Sequence, residues 1–134
     1  MENQGIGSEP SRSNFQVLVV DDNRDAADSL CMLLKIWGYT CLAAYDGETG
    51  LQAASKHQPD CLLLDIAMPG MDGYTLARRL RAQPCLDNAR LIALTAFSDE
   101  THVRRSQEAG FDFRLVKPTD PLEIKSLMDK LSAV

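Results

Sequence analysis

The chain has 134 residues, of which 45% are hydrophobic and 25% are charged, and its formal net charge is −5 at pH 7. These values fit one globular domain whose core needs neither disulfide bonds nor a structural metal. A net negative charge argues against direct binding to nucleic acid, because the phosphate backbone attracts a basic surface.

The cysteine spacing argues against a zinc site. Cys31, Cys41, Cys61 and Cys85 form no C-x-x-C pair, and the two histidines are not placed to complete a site with them. We therefore expect buried thiols. The apolar runs are too short to cross a bilayer and no signal-peptide pattern is present, which predicts a cytoplasmic protein that does not insert into membranes.

Residues 1–14 are rich in Gly, Ser, Asn, Glu and Pro, and this composition predicts a disordered N-terminal tail. Residues 15–134 are predicted to form one domain. Within it, short runs rich in Val, Leu and Ile, without polar alternation, indicate strands that are covered on both faces. These runs are Gln16–Val20, Thr40–Ala44, Cys61–Asp65, Leu91–Thr95 and Phe113–Val116.

The segments between the strands have apolar residues at helical spacing, with Gly or Pro at their ends. The last begins at Pro121, whose missing N–H costs nothing at that position. The fourth, residues 99–109, has Val103 and few other large apolar residues, so we expect it to pack shallowly and to shift readily. Strict alternation of strands and helices predicts an α/β fold, a doubly wound five-stranded parallel sheet with five helices on its two faces.

Polar side chains follow four of the predicted strands. Asp21 and Asp22 come after the first, Asp65 ends the third, Thr95 ends the fourth, and Lys117 follows the fifth. Ligands bind open parallel sheets at the carboxyl ends of the strands, so we expect these five side chains to converge on one edge.

Three carboxylates, a hydroxyl and an ammonium group at one edge favour phosphoryl chemistry. Adjacent carboxylates repel one another unless a cation lies between them, and oxygen ligands of this kind suit Mg²⁺. The metal could bridge a carboxylate and a phosphoryl oxygen, while Lys117 supplies a second positive charge and Thr95 a hydrogen-bond donor. Asp65 is then the oxygen nucleophile. Taken singly, each residue has a plainer explanation; Asp22 or Asn23, for example, is expected to cap the first helix.

These motifs together resemble the receiver domains of response regulators and hybrid histidine kinases, which serve two-component signalling and phosphorelays. The resemblance is carried by Asp21-Asp22, by the segment Leu62–Gly73 that contains Asp65, by Leu94-Thr95-Ala96 and by Lys117-Pro118. It covers nearly all of the chain outside the tail. It implies a flavodoxin-like fold with strand order 2-1-3-4-5.

The resemblance also implies a role for each site residue. Asp65 is the phosphoacceptor, and Mg²⁺ is the cofactor. Asp22 binds the metal directly, Asp21 binds it mainly through water, and the backbone carbonyl of Ala67 is a further ligand, together with Asp65 itself.

Two further residues complete the implied switch. Lys117 contacts the phosphoryl group, Thr95 moves toward it, and the Lys117–Pro118 bond is usually cis. The protein is accordingly expected to be a phosphorylation-dependent switch rather than an enzyme, although it assists its own phosphorylation and dephosphorylation.

The partners follow from the same resemblance. The phosphodonor is a phosphohistidine of a histidine kinase or a histidine phosphotransfer protein, expected to dock near Ala26 and Ala27, with Met68 and Pro118 close by. A downstream protein target is expected on the face built from the fourth helix, fifth strand and fifth helix, near the basic side chains of Arg104, Arg105 and Arg114.

Three residues depart from the commonest family pattern. Arg114 stands where many receivers have an aromatic residue or histidine that moves with the threonine, and we expect this arginine to stay on the surface and contact a partner. Ala67 and Phe97 flank the expected path of the hydrolytic water. Neither side chain can orient a water molecule, so we predict slow loss of the phosphoryl group.

Other functions remain as alternatives. A phosphatase of the haloacid dehalogenase type, which forms an aspartyl-phosphate, needs an acid two residues after its nucleophile, where this chain has Ala67. A flavin-binding protein of similar fold needs a loop of Ser, Thr or Gly after the first strand, where this chain has Asp21-Asp22-Asn23. The third alternative is a pseudo-receiver that only docks partners.

Overall fold

The computed structural model describes residues 15–97 and 99–133. The predicted disordered tail, residues 1–14, lies outside the described residues. One parallel sheet contains β1 (Gln16–Val20), β2 (Thr40–Ala44), β3 (Cys61–Asp65), β4 (Arg90–Thr95) and β5 (Phe113–Val116). The strand order is β2-β1-β3-β4-β5, which confirms the order implied by the resemblance. β4 begins one residue earlier than predicted, because Arg90 has a polar side chain yet pairs with Cys61 through its backbone.

Five helices connect and follow the strands: α1 (Arg24–Ile36), α2 (Gly47–His57), α3 (Gly73–Arg81), α4 (Glu100–Ala109) and α5 (Pro121–Ser132). A 3₁₀ turn, Pro84–Leu86, precedes β4. Each of these helices is preceded by an Asp or Asn whose side chain accepts a hydrogen bond from a backbone N–H of the first turn. At α1 this cap is Asn23, so the carboxylate of Asp22 takes no part in the capping bond.

The sheet separates two hydrophobic layers. Leu62 and Leu64 of the fully buried central strand β3 face α2, α3 and α4, whereas Leu63 faces α1 and α5. Each fully buried leucine stabilises the fold by roughly 2 kcal/mol relative to an exposed one. Because helices cover both faces of the sheet, the carboxyl ends of the strands form the accessible edge at which a polar site can lie.

Two details of packing bear on the expectations above. The thiols of Cys31, Cys41 and Cys61 are buried as predicted, but Cys85 is exposed because it lies in the 3₁₀ turn at the surface. The predicted shallow packing of α4 is confirmed, since its buried residues are the small side chains Ser106 and Ala109. No helix within the described ranges has the length and apolar character needed to span a membrane.

Candidate functional site

The three predicted carboxylates meet at the carboxyl edge of the sheet. Asp21 follows β1 and Asp65 ends β3, which are neighbouring strands paired through Val20 and Leu64. Oxygen atoms of Asp21, Asp22 and Asp65 all lie within 4.8 Å of one another. Asp21 and Asp65 are only 5% and 4% exposed, whereas Asp22 faces solvent. Two buried acids and one exposed acid therefore share one small volume.

Backbone hydrogen bonds fix the acidic loop. The N–H of Asp21 donates to the carbonyl of Ala44 on β2 (3.1 Å), and Asp21 Oδ1 accepts from the N–H of Asn23 (3.0 Å). On the neighbouring strand, the N–H of Ile66 donates to the carbonyl of Leu94 (3.1 Å). The carboxylates are thus held close together by the sheet itself, against their mutual repulsion.

Lys117 supplies positive charge to the same point. Its Nζ donates to Asp65 Oδ1 at 2.9 Å and lies 3.8 Å from Asp21 Oδ2. The backbone N–H of Lys117 donates to the carbonyl of Thr95 (2.7 Å), which continues the pairing of β4 with β5. The Lys117–Pro118 bond is cis, as the resemblance implied. The Lys117 side chain remains 37% exposed, so it can reach a ligand without leaving the site.

The electrostatic balance at Asp65 favours a cation. Burial raises the pKa of the Asp65 carboxyl above its usual range, the hydrogen bond from Lys117 acts in the opposite direction, and the negative charge of Asp21 raises the pKa further. The nearby backbone N–H of Ala67 acts in the same direction as Lys117 and lowers the pKa of the Asp65 carboxyl. One ammonium group does not neutralise three carboxylates. A dense set of oxygen donors with excess negative charge fits a hard divalent cation such as Mg²⁺.

Two hydrogen bonds and a ring contact at Phe97 hold the loop between β4 and α4. Thr95 is buried, and its Oγ1 accepts a hydrogen bond from the N–H of Phe97 at 3.0 Å. Arg114 Nη1 donates to the carbonyl of Phe97 at 2.9 Å. The Phe97 ring stacks on His102 of α4, with centroids 4.3 Å apart. Arg114, which was expected to stay on the surface, is half-buried and binds this loop.

Gly73 is a site residue that sequence reasoning missed. The sequence placed it at the end of the family motif and at the start of a helix but gave it no role in the site, yet a Cβ here would lie 2.7 Å from the carbonyl oxygen of Asp65 and 2.7 Å from Cα of Ile66. The N–H of Gly73 also donates to the carbonyl of Ile66 (2.9 Å). α3 therefore begins in direct contact with the end of β3. Its place in the segment Leu62–Gly73 is the sequence signal that distinguishes it from Gly47, the other glycine that begins a helix.

A groove of about 590 Å³ adjoins the site between α1 and the start of α5. Ala26 and Pro118, both expected near a docked donor, line it together with apolar residues of α1 and α5. Ala27 is fully buried and Met68 is 6% exposed, so these two side chains are not available to a donor. Both side chains pack into the core, so Ala26 and Pro118 are the accessible residues of this set, and docking of a donor near them stays a prediction.

The basic side chains expected near the face formed by α4, β5 and α5 are not equally accessible. The guanidinium carbon of Arg105 lies over the ring of Tyr74 of α3, 4.2 Å from the ring centroid. Arg114 is bound to the carbonyl of Phe97. Arg104 is exposed.

The fold is thus a doubly wound α/β sheet with an acidic cluster and a lysine at its carboxyl edge. The sequence profile of the response regulator receiver domain matches residues 17–129. The chain belongs to this family. Its members are phosphorylation-dependent switches of two-component systems rather than classical enzymes, generally bind Mg²⁺ at an acidic pocket, and interact with histidine kinases or phosphotransfer proteins.

Relatives of known sequence differ in length. A 14.6 kDa protein of Leptolyngbya boryana is 35% identical over 118 residues, which are 88% of this chain and 90% of that protein. The DNA-binding response regulator MtrA of Mycobacterium tuberculosis is 35% identical over 109 residues, which are 81% of this chain. The chain spans only 46% of the length of MtrA.

Solved structures of the family superpose closely on this fold. A putative response regulator from Chloroflexus aurantiacus is 35% identical, with a TM-score of 0.82 over 90% of this chain and 99% of that one. The receiver domain of a sensor histidine kinase from Pseudomonas aeruginosa is 27% identical, with a TM-score of 0.80 over 89% of this chain and 98% of that one. That receiver has a magnesium ion coordinated in its active-site cleft.

Proposed function

We propose that Asp65 accepts a phosphoryl group in a Mg²⁺-dependent transfer from a phosphohistidine of a histidine kinase or a histidine phosphotransfer protein. The observation that carries this proposal is the contact of Lys117 Nζ with Asp65 Oδ1, at 2.9 Å, inside a cluster of three carboxylates. If Lys117 served only to stabilise the fold through an ion pair, one carboxylate would be enough. Three carboxylates and one ammonium group match a metal ion and a phosphoryl group instead.

The metal ligands would be Asp22, Asp65 and the backbone carbonyl of Ala67, with Asp21 acting mainly through water. When bound, Mg²⁺ would supply positive charge to the phosphoryl oxygens and lower the repulsion between them and the attacking carboxylate. Asp22 is the exposed member of the cluster, so it can bind an ion that arrives from solvent.

The transfer itself is a displacement at phosphorus. An oxygen of Asp65 forms the new O–P bond, the P–N bond to the donor imidazole breaks, and the imidazole nitrogen keeps the electron pair and takes a proton from solvent. Lys117 then donates to an oxygen of the transferred group. Burial of Asp65 limits the access of water to the acyl phosphate.

The switch would act through the β4–α4 loop. Thr95 Oγ1, which now accepts from the N–H of Phe97, would turn to donate to a phosphoryl oxygen. That exchange gives up one of the contacts that hold Phe97. Because α4 packs shallowly, its displacement costs little free energy. The face formed by α4, β5 and α5 would therefore change shape and bind a downstream protein target. Arg104 is exposed on α4.

The groove between α1 and α5 supports a donor site. Its lining is mostly apolar, it reaches Asp21 and Lys117, and it is large enough for side chains of a partner helix. A docked phosphohistidine would then lie at the acidic cluster. An exposed apolar surface beside a charged site is typical of protein partners.

Phosphorylation by a small phosphodonor tests the proposal. We would incubate the chain with acetyl phosphate, with and without Mg²⁺, and follow one phosphoryl adduct by intact-mass spectrometry. Asp65→Asn removes the nucleophile at nearly constant volume. Asp87→Asn is the matched control, because Asp87 is an exposed aspartate in the turn before β4, at the opposite edge of the sheet. The adduct is expected in the wild type and the control only, and only with Mg²⁺.

An absence of adduct from both acetyl phosphate and a phosphorylated histidine donor would overturn the proposal and favour a docking-only pseudo-receiver. The decay of the adduct tests the role of Ala67 and Phe97. The variants Ala67→Asn and Phe97→Gln are each expected to shorten the lifetime of the adduct, because the introduced amide side chain can orient a water molecule. Unchanged lifetimes in both variants would contradict the predicted slow hydrolysis.

A further inference from the structure

The outer surface of α1 and the adjoining β2 has an unusual concentration of exposed apolar side chains. Met32 is 64% exposed, Ile36 is 72% exposed and Leu42 is 39% exposed, and these three are half of the large exposed hydrophobic residues among the described part of the chain. Asp28 and Lys35 flank them on α1. We call this surface, defined by Asp28, Met32, Lys35, Ile36 and Leu42, the α1–β2 face.

The charged side chains on the α1–β2 face are complementary to those on the same face of a second copy. Asp28 and Lys35 are seven residues apart, so they lie on one side of α1, about 10.5 Å apart along its axis, with Met32 between them. Asp28 Oδ1 accepts a hydrogen bond from the hydroxyl of Tyr45 at 2.5 Å. Among the described residues, neither Asp28 nor Lys35 forms an ion pair, so both charges are open to a partner. If two copies of α1 cross antiparallel at Met32, Asp28 of each copy lies opposite Lys35 of the other.

The α1–β2 face also has a groove and a protruding apolar side chain that suit such a contact. A groove of about 420 Å³ runs between α1 and β2, and its lining includes Asp28, Met32, Lys35 and Leu42. Ile36 does not line this groove, although it is the most exposed of the three apolar residues. In the antiparallel arrangement, Ile36 of one copy lies at the Asp28 end of the groove in the other copy.

The position of β2 at the edge of the sheet gives a second reason to expect a partner on the α1–β2 face. β2 pairs with β1 on one side only, so it is an edge strand, and exposed edges with apolar neighbours favour association. The groove proposed for the phosphodonor lies on the other flank of α1, at Ala26, Ser29, Leu30 and Leu33. A contact through Asp28, Met32 and Lys35 leaves that flank open.

We propose that the α1–β2 face binds the same face of a second copy of this chain, forming a two-fold symmetric dimer. The two-fold axis passes near Met32 and creates two equivalent ion pairs between Asp28 and Lys35. One helix and part of one strand form a small interface, so the dimer is weak, with a dissociation constant on the order of micromolar.

Sedimentation velocity of the full chain from about 0.1 µM to about 100 µM tests this inference, because a micromolar dimer changes from mostly monomer to mostly dimer across that range. Lys35→Asp places like charges opposite each other at both pairs and is expected to weaken the dimer at least about tenfold. Combining Asp28→Lys with Lys35→Asp swaps both charges and is expected to restore association. Lys56→Asp, an equal charge change at an exposed position of α2, is the matched control.

Each outcome decides the inference. A wild type that stays monomeric throughout the concentration range overturns it, as does a double variant that fails to regain association while circular dichroism reports a folded chain. Equal loss in Lys56→Asp would assign the effect to net charge and also overturn it. Phosphorylation by acetyl phosphate is expected to be unchanged in Lys35→Asp, so failure of the dimer and failure of the phosphoacceptor proposal are measured separately.

Discussion

Replacing Gly73 by alanine should damage the phosphoacceptor strand directly. The added Cβ would lie 2.7 Å from the carbonyl oxygen of Asp65, whereas ordinary van der Waals contact begins at 3.4 Å, so roughly 0.7 Å (3.4 − 2.7) must be gained by moving backbone. The second close atom, Cα of Ile66, is also backbone and cannot rotate away. We expect a loss of about 1–3 kcal/mol in the free energy of unfolding, as for other overpacked sites.

The same displacement should slow phosphorylation. Moving the end of β3 by several tenths of an ångström shifts the Asp65 carboxylate relative to Lys117, and a misplacement of about 1 Å can cost on the order of 10²-fold in rate. Urea denaturation would give the stability change. The rate of adduct formation with acetyl phosphate and Mg²⁺, measured under conditions where the variant is folded, would give the functional change.

Gly70→Ala is the matched control for this prediction. Gly70 belongs to the same loop and has a positive φ of 76°, but nothing lies within 4 Å of an added Cβ. Its replacement is expected to cost about 1 kcal/mol in backbone conformation, without displacing Asp65. The reasoning is refuted if Gly73→Ala phosphorylates at the wild-type rate, or if both variants lose rate equally.

Three further perturbations have defined outcomes. Asp46→Ala removes the cap of α2 and should cost about 1 kcal/mol of stability at neutral pH. Hydrogen bonds from backbone N–H groups lower the pKa of the Asp46 carboxyl, so its contribution is full above the usual carboxyl range, begins to fall near about pH 4 and is lost as the pH falls through the lowered pKa; the wild-type and variant unfolding curves should converge only below that pKa. In native protein, a thiol reagent should label exposed Cys85 rapidly and Cys61 only on unfolding, because burial raises the pKa of Cys61; rapid labelling of both would contradict the burial of Cys61. Arg114→Met removes the hydrogen bond to the carbonyl of Phe97 and should speed amide hydrogen exchange in the loop before α4; unchanged exchange there would mean that this bond does not hold the loop.

The pattern of the sequence was sufficient to predict the sheet. Apolar runs without alternation, separated by helical spacing, predicted five strands whose bounds differ from the structure at a single residue, Arg90. The pattern worked because strands covered on both faces must be apolar throughout. The pairing order came from the family resemblance, since periodicity contains no information about which strands are neighbours.

The convergence of the acidic cluster was also predictable, because the carboxyl ends of parallel strands meet at one edge. Asp21, Asp22 and Asp65 lie together as expected, and Lys117 reaches Asp65. Element order places these residues at one edge of the sheet. Their close approach also requires β1 and β3 to be neighbours, which the family resemblance implied and the structure shows.

Contacts between segments distant in sequence could be found only in the tertiary structure. Ala27 and Met68 are buried, although both were expected near a donor, because one-residue steps along a helix or loop decide which side chain faces the core. Arg114 binds the carbonyl of Phe97, 17 residues away, which no local pattern encodes. The close approach of Gly73 to Asp65 depends on how α3 packs against β3. The sequence by itself determined which chemical groups meet at the edge of the sheet, whereas packing between distant segments decided which side chains hold them in place.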